Sequence, residues 1–203
     1  MTGTSVASGI SSTLSCLIGW LAVGELIGRE QSWTAAPFGL FWGGAQTGPN
    51  PTDRAKLGSK RHLICDGRGV PFAIQLTGAN RNDPQQALAL VDAIPSLQGA
   101  RGRPRHRPNR VLGDRGYDAE AIRQGLRARH IGPFLAKRNT EQGSGLGRWR
   151  WVVERTFAWL NQFRRLRVRY EKRADIHEAF LALACALLCW RFLKRYATGG
   201  VFG

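Results

Sequence analysis

Residues 70–77 alternate. Val70, Phe72, Ile74 and Leu76 fall on one face of an extended run, with Ala73, Gln75 and Thr77 on the other. That period of two is the mark of a half-buried strand. A second extended run, residues 59–65, precedes it, and Asp66-Gly67-Arg68-Gly69 lies between the two. Two such runs around an Asp-Gly turn predict a β-hairpin. Residues 83–94 then read as a helix, with Asp83 at its cap and Pro84 at its first position, where a missing N–H breaks no helical bond.

Residues 111–113 predict a short buried strand that ends at Asp114, and Arg115-Gly116-Tyr117 turns the chain. Asp118 is placed to cap a helix over 119–129, and 131–136 reads as another strand. Residues 137–147 are polar and Gly-bearing, a loop. From 148 to 163 the period becomes helical, with Trp149, Val152, Val153, Phe157, Leu160 and Phe163 on one face. Asp175 is expected to cap a final helix from 176 to about 196. Its core, 179–190, is apolar almost all round but shorter than the roughly 20 residues a bilayer span needs, so burial in protein is expected. The order hairpin, helix, strand, helix, strand, helix, helix predicts an α/β fold, a mixed sheet covered by helices.

Residues 1–46 have a different texture: Ser, Thr and Gly with apolar clusters, and no clear alternation or helical period. The stretch 10–28 carries Ser11, Ser12, Thr13, Ser15 and Glu25, and no Lys or Arg occurs before Arg29. It fits neither a membrane span nor a signal peptide. The expected organisation is a poorly ordered leader, 1–46, followed by one domain, 47–203.

Charge sharpens that boundary. The 203-residue chain carries a net charge of +16, yet residues 1–46 hold one basic residue, Arg29, and two acidic ones, Glu25 and Glu30. All the positive surplus lies in 47–203. The 43% hydrophobic content excludes wholesale disorder. Four unevenly spaced Cys without a C-x-x-C pair argue against a disulfide framework or a zinc site, so the chain reads as reduced and cytoplasmic. Cys185 and Cys189 read as core residues. The surplus points to a polyanion, most often nucleic acid, because each neutralised phosphate releases counterions.

Two acids stand out by position. Asp114 ends a buried strand, a favoured place for ligands in α/β sheets. Glu154 lies in the aromatic-rich helix, on a polar stripe with Arg150 and Asn161. Arg150 and Glu154 are four apart with the Arg first, the weaker order for helix support. Carboxylates suit a basic protein that cuts phosphodiesters, since two Mg²⁺ ions held by acids neutralise the attacking and leaving oxygens while Lys and Arg hold the strand. Such a centre takes at least three acids, and two are convincing here. The Arg-rich runs 101–110 and 164–173, including Arg164 and Arg165, are either solvated loops or phosphate contacts. Lys60 and Arg61, beside the hairpin with His62, are candidate DNA contacts. Trp149, Trp151 and Trp159 read as core rather than as base-stacking platforms.

The stretches TGPNPTDRAKLGSKRHLICDGRGVPFAIQLTGANRND, GRPR, VLGDRGYDAEAIR and RWVVERTFAWLNQFRRLRVRYEKRADIHEAFLALACALLCWR, within residues 48–192, resemble the DDE transposases of bacterial insertion sequences, in the branch with a Y-R-E-K-type signature. The resemblance implies an RNase H-like fold, DNA cutting and rejoining at insertion-sequence ends and target with two Mg²⁺, and DNA as partner, in a nucleoid-associated protein away from the membrane, with a homodimer as one option. By motif, Asp114 in GDRGYD matches the second catalytic Asp, Glu154 in WVVERT the catalytic Glu, and Arg150 the signature Arg. The signature Tyr position is Gly147 and the Lys position is Asn161, which puts those two contacts in doubt.

The first catalytic Asp of the family lies on the first strand, in a motif like L-D-S-x-x-V-R-A, upstream of TGPNPTDR. No such motif occurs here, so the first strand is expected to be missing or replaced. The genetic code offers a reason. Read one base earlier, the Trp33-Thr34 junction is TGG followed by AC, which makes the shifted codon GAC, Asp. The flanking shifted codons through Leu40 allow Leu-Asp-Ser-x-x-Val-Arg-Ala. Residues 1 to about 42 are therefore expected to be out of frame, the mark of a decayed gene or of one product of a frameshifting element. Three readings stand: a transposase catalytic core, inactive for lack of its first Asp; the same fold kept as a DNA-binding remnant; or an unrelated basic DNA- or RNA-binding protein in which these motifs are coincidence.

Overall fold

The computed structural model describes residues 30–39, 42–96, 107–138 and 147–198. The predicted hairpin is its best-defined part. β3 (Leu57–Asp66) and β4 (Pro71–Gly78) pair antiparallel, from Ser59 opposite Gly78 to Cys65 opposite Pro71. Asp66 Oδ1 accepts the backbone N–H groups of Arg68 at 2.9 Å and Val70 at 2.8 Å, closing the turn. Gly69 takes φ +91°, in the left-handed region that favours glycine. A Cβ there would also sit 2.8 Å from Thr156 Oγ1.

Leu63, Ile64 and Cys65 are successive and fully buried. Neighbouring strand residues point to opposite faces, so both faces of β3 are covered. One group of helices is α1 (Asp83–Asp92) and α2 (Glu120–Ala128), which touch each other and pack on β3, β4 and β6 (Gly132–Leu135). The other is α3 (Gly147–Asn161), α4 (Arg164–Arg167) and α5 (Ala174–Ala197), set on β1, β3 and β4.

The strand order is β4-β3-β1-β5-β6, with the two-residue β2 (Gly48–Pro49) on the edge of β3. The middle place belongs to β1, Glu30–Gly39. It runs antiparallel to β3, from Gln31 opposite Asp66 to Gly39 opposite Gly58. On its other side it runs parallel to β5 (Arg110–Gly113), from Glu30 beside Arg110 to Ser32 beside Leu112. β5 and β6 are also parallel. This is the mixed, helix-covered sheet expected from the sequence, with its first strand built from residues of another texture. The sequence reading placed 30–39 in the leader; here the stretch is sheet. Residues 1–29, including the apolar stretch 10–28, lie outside the described residues.

Helix starts differ slightly from expectation. Asp83 and Asp175 lie inside the first turns of α1 and α5, behind N-caps Asn82 and Arg173, and Asp118 precedes the N-cap Ala119 of α2. An acid one place inside the helix still faces the positive end of its dipole, and each of these is held by a cation. Asp83 binds Lys60 at 2.8 Å, Asp118 binds Arg123 at 2.6 Å, and Asp175 binds Arg173 at 2.5 Å. α5 also runs 24 residues, longer than its apolar core suggested. By length and composition alone it could cross a membrane, but its inner side is packed on the sheet.

Candidate functional site

Asp114 stands where β5 ends. Val111 and Leu112 are buried and anchor the strand. Asp114 Oδ1 then accepts the Gly116 N–H at 2.9 Å, capping the short 3₁₀ turn Arg115–Tyr117. Its carboxylate is half-buried.

Glu154 is exposed on α3, whose inner face buries Val152, Val153, Phe157 and Leu160 as the helical period predicted. What positions this helix was not predicted. Thr156 Oγ1 donates to the Gly69 carbonyl at 3.0 Å and Arg155 Nη2 to the Arg68 carbonyl at 2.8 Å, so the hairpin turn is tied to the helix. The Arg155 guanidinium also lies over the rings of Trp151 and Trp159, at 4.2 and 4.8 Å.

β1 lies beside the strand that ends before Asp114 and touches the helix that carries Glu154. Ser32 pairs with Leu112, and two residues further along each strand come Thr34 and Asp114. On the other side Thr34 pairs with Leu63. Strand alternation puts positions 34 and 38 on one face. Phe38 stacks on His177 of α5 at 5.3 Å, and the Arg61 guanidinium covers its ring at 4.5 Å while lying 5.6 Å from the Phe157 ring of α3. Position 34 lies two residues past the last β1–β5 pair, as Asp114 does, and α3 packs on β1.

The predicted DNA contacts divide. Arg164 and Arg165 are exposed, and Arg165 binds Glu171 at 2.8 Å. Lys60 is mostly buried, with Nζ 2.8 Å from Asp83 and 3.0 Å from the Arg81 carbonyl, so it ties the hairpin to α1. Arg61 is 1% exposed, because successive strand residues face opposite sides and it takes the inner one. It donates to Asn161 Oδ1 at 2.8 Å, and burial lowers its pKa to about 10. As placed, Arg61 is a core residue and not a phosphate contact. The side chains of Arg150 and Trp149 and residues 101–106 of the first Arg-rich run lie outside the described residues.

Within the second run, Arg169 is fully buried. It donates to Ser59 Oγ at 3.0 Å, to the Glu171 carbonyl at 2.8 Å and to the Lys172 carbonyl at 3.0 Å. Nothing in a string of basic residues marks one of them as a structural clamp. Cys65, Cys185 and Cys189 are buried and form no disulfide among the described residues, and burial pushes the Cys185 thiol up to about 12. Such thiols are inert.

The acids present do not fit a two-ion centre. Among the described residues no three Asp, Glu, His or Cys side chains group closely enough to hold a metal. One oxygen of Asp114 is already committed to its turn.

The Transposase DDE domain family matches residues 30–189, so the matched region begins with β1, upstream of residue 47. The assigned transposase of insertion sequence element IS402 from Burkholderia cepacia is 61% identical over 154 residues, 76% of this chain and 73% of that protein. Its counterpart for insertion sequence element IS6501 from Brucella ovis is 28% identical over 139 residues, 66% of this chain and 98% of that protein. Among solved structures, the Mos1 mariner paired end complex with Mn aligns at TM-score 0.47 and 11% identity, over 96% of this chain and 60% of that one.

The chain belongs to the DDE transposase family, and the fold is that family's catalytic core. The family uses divalent metal, and the reading as an unrelated basic protein with coincidental motifs falls.

Proposed function

We propose that this chain is a transposase catalytic core that binds DNA without cutting it, because position 34 carries Thr in place of the third acid. The observation that supports this reading is the ladder register: the last β1–β5 pair is Ser32 with Leu112, and Thr34 and Asp114 each come two residues later. The shifted frame writes Asp at that same position, so codon arithmetic and sheet geometry converge independently. Asp114 and Glu154 remain as two of the three acids that would hold Mg²⁺ in an intact relative. The exposed Arg164 and Arg165 are phosphate contacts for insertion-sequence ends and target DNA, and Arg150 is assigned the same role by its motif alone, with affinity set by charge rather than by base identity. Residues 1 to about 42 are the out-of-frame part, and β1 keeps its place by main-chain pairing together with buried Phe38.

The test compares the parent with Thr34→Asp. The parent should bind a labelled random-sequence duplex with affinity that falls about tenfold or more between roughly 50 and 200 mM salt. It should neither nick supercoiled plasmid in Mg²⁺ nor bind Mn²⁺ measurably by calorimetry. Thr34→Asp should tighten Mn²⁺ binding by about tenfold or more, and adding Asp114→Ala should remove that gain. Nicking by the parent that disappears in Asp114→Ala would overturn the proposal, as would Mn²⁺ affinity indifferent to residue 34. Preference for structured RNA over duplex would overturn the choice of DNA.

A further inference from the structure

Among the described residues, Arg61 is a buried charge without a counterion. Its side chain lies in the middle of β3 and keeps its proton at neutral pH. Nη2 donates to the neutral Asn161 Oδ1 at 2.8 Å, while Nε and Nη1 have no hydrogen-bond partner. The titratable groups that face it from α5 are His177 and the Cys185 thiol, both held neutral by burial at pH 7. α3 offers Asn161 and the Phe157 ring, and β1 lays the Phe38 ring 4.5 Å from the guanidinium. A ring face offsets only part of what a cation loses on leaving water, and an uncompensated buried charge is among the most destabilising features a core can hold.

The ladder points to where a counterion belongs. Ala36 pairs with Arg61, and Thr34 pairs with Leu63. Directly paired residues share a face of the sheet, so Arg61 is on the face of positions 34, 36 and 38. It is the diagonal neighbour of position 34, at a spacing of roughly 7–8 Å that long side chains bridge. Position 34 is where the shifted frame writes Asp, and at 38 the same frame allows Val. One change of frame therefore exchanges an acid for Thr34 and an aliphatic residue for Phe38, whose ring now covers the guanidinium. On the reading of residues 1 to about 42 as out of frame, we propose that Arg61 is a positioning residue, built to hold the carboxylate of position 34, and that it rests on Phe38 in this chain because that carboxylate is gone. A carboxylate held this way stays ionised and keeps one orientation.

The experiment measures urea unfolding of the full chain in EDTA, so that no metal contributes. At pH 7 Thr34→Asp should raise the folded-to-unfolded ratio about tenfold or more over Thr34→Asn, which has the same shape without the charge. That gain should fade as pH falls below about 4, because the unfolded carboxylate takes up its proton before the folded one does. Arg61→Met should change the parent by less than about threefold, since it removes an uncompensated charge, yet cost the Thr34→Asp variant about tenfold or more. Arg61→Lys, which keeps the charge, should retain part of the gain. Phe38→Val should cost the parent more than it costs Thr34→Asp, where the guanidinium has another partner. The pH series needs only the Asp and Asn variants, so it decides even where Arg61→Met does not fold. A Thr34→Asp variant no more stable than Thr34→Asn at pH 7, one that gains stability on acidification, or a gain that survives Arg61→Met would each overturn the proposal. Mn²⁺ affinity indifferent to residue 34 would instead sink the proposed function and leave this metal-free pairing standing.

Discussion

β1 and β3 lie side by side in the middle of one sheet, matched residue for residue from Gln31–Asp66 to Gly39–Gly58, and hold their places by different means. β3 buries eight of its ten residues and is anchored by side chains. It has Leu63, Ile64 and Cys65 in the core, Arg61 on Asn161, and Ser59 under Arg169. β1 reads Glu-Gln-Ser-Trp-Thr-Ala-Ala-Pro-Phe-Gly, with no alternation and a proline inside it. It is held by main-chain ladders on two sides and, near its end, by Phe38, buried against His177 and Arg61. Pro37 is tolerable because β1 has by then run past its last pairing with β5, at Ser32, and has one edge without a ladder. The difference teaches that backbone pairing can place a strand whose own side-chain pattern does not announce it. A metal centre has no such reserve, because it needs one acid at one place.

The largest effect expected from breaking this contrast is at Leu63. Leu63→Ala should lower the unfolding free energy by about 2–5 kcal/mol, the usual cost of truncating a fully buried leucine. Thr34→Ala, at the position paired with it across the ladder, should cost less than about 1 kcal/mol, within the spread of strand propensities. Urea melts of the two variants decide it. Equal losses would mean that β1, too, is held by its side chains.

Next in size is a change aimed at the ladder itself. Ala36 pairs with Arg61 in the stretch of β1 beyond β5, and its N–H points the opposite way from the nitrogen of Pro37, toward β3. Ala36→Pro should cost about 3 kcal/mol or more if the main chain carries the strand, since proline removes a donor and clashes in a paired strand. Hydrogen exchange at the β3 amides gives a second readout. An Ala36→Pro variant that melts like the parent would show that the β1–β3 ladder adds little to stability.

The same contrast explains what could be read without coordinates. The hairpin, the turn at Asp66–Gly69, the helical period of α3 and the strand end at Asp114 were all legible, because each is written in local side-chain pattern. β1 was not, because its place depends on two partners that lie about 30 and 80 residues away in sequence and not on its own periodicity. Arg61 and Lys60 were read together as DNA contacts although alternation sends them to opposite sides, one into the core and one onto Asp83. Arg169 looked like its neighbours in a basic run, and only the tertiary fold sets Ser59 and two carbonyls around its guanidinium. Of the candidate site, the two acids and their elements were visible. That position 34 runs level with Asp114 required the register.

The smallest effect expected in the parent comes from two buried groups of β3 that oppose each other. Burial holds His62, bonded to Thr77 Oγ1 at 2.8 Å, down at about 4. As pH falls from about 6.5 to 4 the unfolded chain gains a proton that the folded one refuses, and stability drops. His177, also lowered by burial, adds to that trend. Burial raises Asp66 to about 6 against the pull of its backbone N–H bonds. Between about 6 and 4 the folded chain holds a proton that the unfolded one has released, so stability rises as pH falls. Each of His62 and Asp66 is worth about 3 kcal/mol across its window, at 1.36 kcal/mol per unit, and their signs are opposite. The parent should therefore show only a shallow slope between pH 6.5 and 4. Asp66→Asn keeps the turn's acceptor and removes the compensation, so its stability should fall by about 3 kcal/mol more than the parent's over that range. His62→Gln should shift the balance the other way, toward greater stability in acid. Urea melts at a series of pH values check this, and parallel curves for the three proteins would remove both groups from the account.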